Sequence, residues 1–142
     1  MTAIVDASTL AKWFVEEEGT ADARRLQRHT LFAPDLVVVE VANVLWKKVQ
    51  QGSFDAAFVP RAVAVLQHAD LTLVNSLTLA DRAVEIALSL NHPVYDCFYL
   101  SLAELRALPF VSGDDRLARK LAANPQASLA EVTTPARFVA TL

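Results

Sequence analysis

Apolar positions along the chain come in two patterns: short unbroken blocks, as buried strands require, and longer stretches where they recur at helical spacing. The first block, Thr2-Ala-Ile-Val, ends abruptly in Asp6. A helix is expected over 8–17, with Leu10, Trp13 and Phe14 on its apolar side and Gly19 as its stop, followed by a second helix over 20–29. A short strand is expected at 31–33, and Pro34-Asp35 then opens the most strongly patterned helix, which runs to about Gln51 before Gly52. Further helices are expected over 54–68, from Thr78 to the Asn91-His-Pro93 breaker, over 94–107 and over 116–123. Strands are expected at 71–74, 108–112 and 128–132, with a short terminal element after Pro135. This alternation predicts an α/β fold, a mainly parallel sheet covered on both faces, in a single domain spanning 1–142.

Two helices carry acids that break their own pattern. On the helix after Pro34, Glu40, Asn43, Lys47 and Gln51 form one narrow polar stripe in an otherwise apolar surface centred near Val38, Leu45 and Val49. Leu36, Val39 and Trp46 flank that stripe, where they would meet a partner instead of the core. On the helix from Val94, Asp96 shares its face with Tyr99, Leu100, Ala103 and Ala107, where an unpaired carboxylate would be costly. A first-turn acid favours the helix dipole. That accounts for the turn but not for the face.

Composition narrows the function classes. With 142 residues, 54% of them hydrophobic and 20% charged, the chain can bury a sizeable core. Its apolar runs are too short to span a bilayer, and its start lacks a signal-peptide pattern, so a cytoplasmic location is expected. Cys97 is the only cysteine, which excludes an internal disulfide, and His29, His68 and His92 show no metal-ligand spacing. The net charge of -3 gives no global attraction to nucleic acid. Local basic clusters at Arg24, Arg25 and Arg28, at Lys47 and Lys48, and at Arg116, Arg119 and Lys120 would have to supply it.

Open α/β sheets bind ligands outside the carboxyl ends of their strands. Asp6 stands at such an end, as does Asp114 or Asp115 after the fourth strand, and Glu40 and Asp96 can converge on the same crevice. Asp6 alone reads equally well as a helix cap. Several carboxylates in one crevice raise each other's pKa and are stable together with bound cations, and an all-oxygen donor set suits Mg²⁺ or Mn²⁺. Two such ions can activate water and stabilise the leaving oxygen of a phosphodiester.

Four segments together resemble the PIN-domain ribonucleases, and within them the VapC-like toxins of toxin-antitoxin pairs: Ile4-Val-Asp6-Ala-Ser8 with Lys12-Trp-Phe14, Glu40-Val-Ala-Asn43-Val-Leu45, Tyr95-Asp96-Cys-Phe-Tyr99-Leu-Ser-Leu-Ala103, and Phe110-Val-Ser-Gly-Asp114-Asp-Arg-Leu117. The resemblance implies a three-layer α/β/α sandwich and metal-dependent endonucleolytic cleavage of RNA, with Asp6, Glu40, Asp96 and Asp114 as catalytic, metal-binding acids. It places Ser8, Asn43, Ser112 and Asp115 around them, with Ser8 orienting Asp6 or a metal-bound water. Ser112 stands where the family often has Thr, and Asp115 where a basic residue is common; register favours Asp114 as the ligand. The implied partners are an RNA substrate, with Arg116 and Lys47 as candidate backbone contacts, a VapB-like antitoxin on the surplus apolar surface around Trp13, Phe14, Val39 and Trp46, and a second copy in a homodimer. A catalytically inactive PIN fold that only binds partners is the main alternative. A receiver-type phosphoacceptor module is disfavoured, because Asp6 lacks a neighbouring acid and the strand at 71–74 ends in Asn-Ser. A dehalogenase-type phosphatase would need an acid where Ser8 stands.

Overall fold

The computed structural model describes residues 1–141. Five strands, β1 (Thr2–Val5), β2 (Thr30–Pro34), β3 (Leu71–Val74), β4 (Phe110–Val111) and β5 (Val132–Thr133), form one sheet in the order β3-β2-β1-β4-β5. Every neighbouring pair is parallel. Ala3, Ile4 and Val5 are all fully buried. Successive strand residues point to opposite faces, so both faces of β1 are covered, as the expected three-layer α/β/α arrangement requires.

The helices are α1 (Ala7–Ala11), α2 (Thr20–Arg25), α3 (Leu36–Gln50), α4 (Val59–Gln67), α5 (Ala80–Leu90), α6 (Val94–Arg106), α7 (Asp115–Ala123) and α8 (Pro135–Ala140). The chain builds outward from β1 through β2 to β3, then returns to the other side of β1 as β4. The resulting switch point lies between β1 and β4, where ligand crevices of such sheets open. Val5 pairs with Val111, so Asp6 and Ser112 stand side by side, one residue past the paired ends.

Several elements depart from the sequence expectation for identifiable reasons. The helix expected over 8–17 ends at Ala11 because side chains beyond it take over the turn: the Trp13 indole donates to the Ala23 carbonyl at 2.8 Å, Thr20 donates to the Val15 carbonyl at 3.0 Å, and Lys12 donates to the Glu18 carbonyl at 2.8 Å. The helix expected from Phe54 begins in a 3-10 turn, Ala56–Phe58, started by the Asp55 carboxylate, which accepts from the Ala57 amide. The helix over 20–29 likewise tightens into a 3-10 turn at Leu26–Arg28, and that from Thr78 into α5 after one at Ser76–Leu79. β4 is shortened at its start, where the Leu108 amide closes α6 on the Ala103 carbonyl and Pro109 has no N–H to give. The strand expected at 128–132 is displaced to Val132–Thr133: the Ser128 hydroxyl and the Leu129 amide both donate to Glu104, which holds this stretch out of the sheet.

On α3 the buried line is Val37, Val41 and Leu45, not one centred on Val38 and Val49. Leu36 packs against the core, whereas Val39 and Trp46 are 71% and 55% exposed. No described helix is long and apolar enough to cross a membrane.

Candidate active site

Asp6 caps α1 and also reaches across the switch point. Its extended backbone caps α1, with the Thr9 amide donating to Oδ1 at 2.9 Å, while Oδ2 accepts from the Ser112 hydroxyl at 2.6 Å across the switch point. The same Ser112 oxygen accepts from the Asp114 amide at 3.1 Å. Burial raises the pKa of Asp6; the hydrogen bonds from Ser112 and Thr9 oppose this, and the charge of Asp96 adds to it. Ser8, expected to orient Asp6 or a metal-bound water, is exposed at the cavity rim, and the hydroxyl that holds Asp6 is that of Ser112, beyond the neighbouring strand.

Glu40 projects from α3 and accepts a 2.6 Å hydrogen bond from the Tyr99 hydroxyl of α6. Tyr99 is 1% exposed, and its ring stacks on Phe110 of β4 with centroids 5.3 Å apart. Burial raises the pKa of Glu40, Tyr99 opposes the shift, and the charges of Asp96 and Asp6 reinforce it. The Tyr99 proton is held far more firmly than usual, by burial first and by the charge of Glu40 second. The phenol is therefore a fixed donor.

Asp96 lies in the first turn of α6, one turn before Tyr99. Its Oδ2 is 2.6 Å from Nε2 of His92, whose Nδ1 is 3.2 Å from the ammonium of Lys120. Asp6, Glu40, Asp96 and Tyr99 line one cavity of about 640 Å³, with Ser8, Asn43 and Lys47 at its polar wall and Val39, Val44 and Tyr95 on its apolar side. Among the described residues Lys47 is its only basic lining residue.

Asp114 stands apart from this lining. It caps α7, accepting from the Arg116 amide at 2.9 Å and from the Arg116 guanidinium at 3.4 Å. Burial pushes its pKa up, but these hydrogen bonds and the Arg116 charge outweigh burial and hold it below the usual range. Asp115 is exposed in the first turn of α7. Arg116 is thus engaged with Asp114 and does not line the cavity.

Three carboxylates therefore face one cavity and repel one another, an arrangement that a hard divalent cation would relieve. Among the described residues no three His, Cys, Asp or Glu side chains are already gathered around a single point. Tyr99 holds Glu40 and His92 contacts Asp96 in this arrangement. The donor chemistry fits Mg²⁺ or Mn²⁺.

The contacts of Tyr99, His92 and Lys120 were not expected from the sequence, where Lys120 stood only in a candidate basic cluster. Tyr99 read as apolar and His92 as part of a helix break. No spacing in the sequence signals these contacts: His92 lies in the turn before α6, and the partners of Tyr99 and Lys120 stand on other elements.

A parallel sheet in this strand order, with acids from the end of β1, from α3 and from α6 around its switch point, defines a class, and the family model of the PIN domain matches residues 3–122. The chain belongs to the PIN-domain family. It is 32% identical over 127 residues to ribonuclease VapC3 of Pyrobaculum aerophilum, covering 87% of this chain and 97% of that protein. Its fold is similar to that of PAE2754 from Pyrobaculum aerophilum (TM-score 0.70, 23% identity, 99% of this chain and 88% of the other). It is also similar to a chain of a toxin-antitoxin complex from Klebsiella pneumoniae (TM-score 0.65, 19% identity, 94% and 97%).

Proposed function

We propose that this chain is a metal-dependent endoribonuclease of the VapC type, the toxin of a toxin-antitoxin pair, acting in the cytoplasm. The observation that carries the reading is the convergence of Asp6, Glu40 and Asp96 on one cavity at the sheet's switch point, in a chain 32% identical to a ribonuclease. Asp6, Glu40 and Asp96 would hold Mg²⁺ or Mn²⁺, with Asp114 reaching in from the start of α7 after releasing Arg116. The bound cation supplies Lewis-acid polarisation of the scissile phosphodiester and a more acidic attacking water.

The chain's own residues do the rest. Ser112 and Thr9 fix Asp6, and Tyr99 fixes Glu40, so that acidic oxygens are presented without rotamer search. Ser8 and Asn43, exposed at the cavity wall, offer polar groups to solvent or substrate. Lys47, exposed on α3, is the cation best placed to pair with an RNA phosphate, and Arg116 offers a second contact outside the cavity.

A VapB-like antitoxin is the proposed partner. Besides the exposed Val39 and Trp46, the chain carries an open apolar cleft of about 590 Å³ lined by Trp13, Phe14, Phe54 and Phe58. Phe58 and Val65 there are each 50% exposed, and contiguous apolar patches of this kind mark interaction sites. A homodimer remains part of the proposal.

The test is cleavage of total cellular RNA by purified protein with Mg²⁺ or Mn²⁺. Activity should vanish in EDTA and in Asp6→Asn and Asp96→Asn; cleavage by either variant at the parent's rate would remove the site from the reaction. Co-purification with the product of a neighbouring short gene tests the partner, and a silent, monomeric, partnerless toxin would count against it.

A further inference from the structure

Behind Asp96, outside the cavity lining, stands an imidazole. His92 occupies the turn between α5 and α6, next to Asn91, which ends α5 with a left-handed φ of 51°. The His92 amide closes on the Ala87 carbonyl at 3.2 Å, and its side chain is 7% exposed. The imidazole is therefore fixed from the backbone outward.

Its two nitrogens can be assigned from their neighbours. Lys120 of α7 reaches the Asn91 carbonyl at 2.9 Å and His92 Nδ1 at 3.2 Å. An ammonium has donors only, so Nδ1 must accept, and the ring hydrogen then belongs on Nε2. That nitrogen faces Asp96 Oδ2 at 2.6 Å and donates to it. Asp96 Oδ2 is occupied, while among the described residues Oδ1 has no hydrogen bond from the protein. Lys120, His92 and Asp96 form a chain of contacts joining α7 to α6 through the turn.

We propose that His92 is the positioning residue of Asp96: oriented by Lys120, its Nε2–H holds one carboxylate oxygen and turns the other towards a divalent cation in the crevice. This rests on the metal-site reading above. Hydrogen-bonding partners of ligating carboxylates typically change metal affinity by roughly 10–100-fold when removed. The same contact explains why an acid is tolerated on the otherwise apolar face of α6.

The experiment is Mn²⁺ titration calorimetry on the purified full chain without RNA, with thermal melts to confirm folding. His92→Leu should weaken Mn²⁺ binding by roughly 10–100-fold. His92→Gln, which keeps an N–H in reach of Oδ2, should recover most of the loss, and Lys120→Met should fall between them. Imidazole ¹⁵N shifts of the metal-free parent at pH 8 should show Nε2 protonated and Nδ1 bare. Parent-like Mn²⁺ affinity in His92→Leu, equal losses in Leu and Gln, or a hydrogen on Nδ1 would each overturn the assignment. If His92→Leu does not fold, the loss in Lys120→Met and the ¹⁵N shifts still decide. Asp96→Asn separates the two levels: Mn²⁺ binding unaffected by it sinks the metal-site reading, whereas loss there with none in His92→Leu sinks only the role of His92.

Discussion

Replacing Tyr99 by Phe removes one oxygen from the protein and little else. The ring stays against Phe110, so the stacked pair at 5.3 Å survives and no cavity opens. What disappears is the 2.6 Å donor to Glu40. Hydrogen bonds to charged groups contribute about 1.5–3 kcal/mol. Glu40 is only half-buried, so water replaces part of the loss, and the expected cost is near the lower end, about 1.5 kcal/mol. For a chain of this size that corresponds to a melting temperature lower by roughly 5 °C.

The same substitution has a pH signature. Burial raises the Glu40 pKa and the Tyr99 hydrogen bond opposes it, so removing the donor lets the pKa rise further. Protons then compete better with metal, and Mn²⁺ affinity should fall more at pH 6 than at pH 8 relative to the parent. The assays are differential scanning calorimetry in EDTA and Mn²⁺ titration at the two pH values. An unchanged melting temperature together with parent-like affinity at both would refute the assignment of Tyr99 as the anchor of Glu40.

Two further outcomes concern the carboxylates and a third the apolar cleft. Asp6 and Glu40 bind protons more tightly folded than unfolded, so their contribution to stability is present below the ordinary values of 3.8 and 4.5 and is lost as pH rises through the raised ones; in EDTA, Asp6→Asn should therefore melt above the parent at pH 7, with the gap closing towards pH 4. Ser112→Ala takes a donor from Asp6 and an acceptor from the Asp114 amide, and should cost about 1–3 kcal/mol and weaken Mn²⁺ binding, whereas exposed Ser8→Ala should change stability by less than about 0.5 kcal/mol; urea melts distinguish the two. Phe58→Asp, at a half-exposed position in the apolar cleft, should leave RNA cleavage intact but weaken capture of the antitoxin in a pull-down.

The parts of the site legible in the sequence were those that violated a local pattern. Asp6 ends an apolar strand, Glu40 lies in a narrow polar stripe, and Asp96 interrupts an apolar face; each violation marks a side chain whose reason lies in another element. Asp114 was legible as an acid after a strand, but its present engagement was not, because capping by its own α7 and pairing with Arg116 are local choices that compete with the crevice. Tyr99 and His92 were illegible for a different reason. Their polar atoms meet partners 59 and 28 residues away, at Glu40 and Lys120, and nothing in a periodicity reports such a meeting. Among the elements, β3 and α6 could be placed closely from pattern alone. The short α1 and displaced β5 could not, since side-chain captures by Trp13, Thr20 and Glu104 override propensity there.

The central claim is that the acids around the switch point between β1 and β4 hold a divalent cation. Anomalous scattering from crystals soaked in Mn²⁺ tests it most directly. The account predicts a peak in the cavity with oxygens of Asp6 and Asp96 at about 2.1 Å. A cavity without a peak at saturating Mn²⁺, or a peak bound elsewhere while RNA is still cleaved, would contradict it.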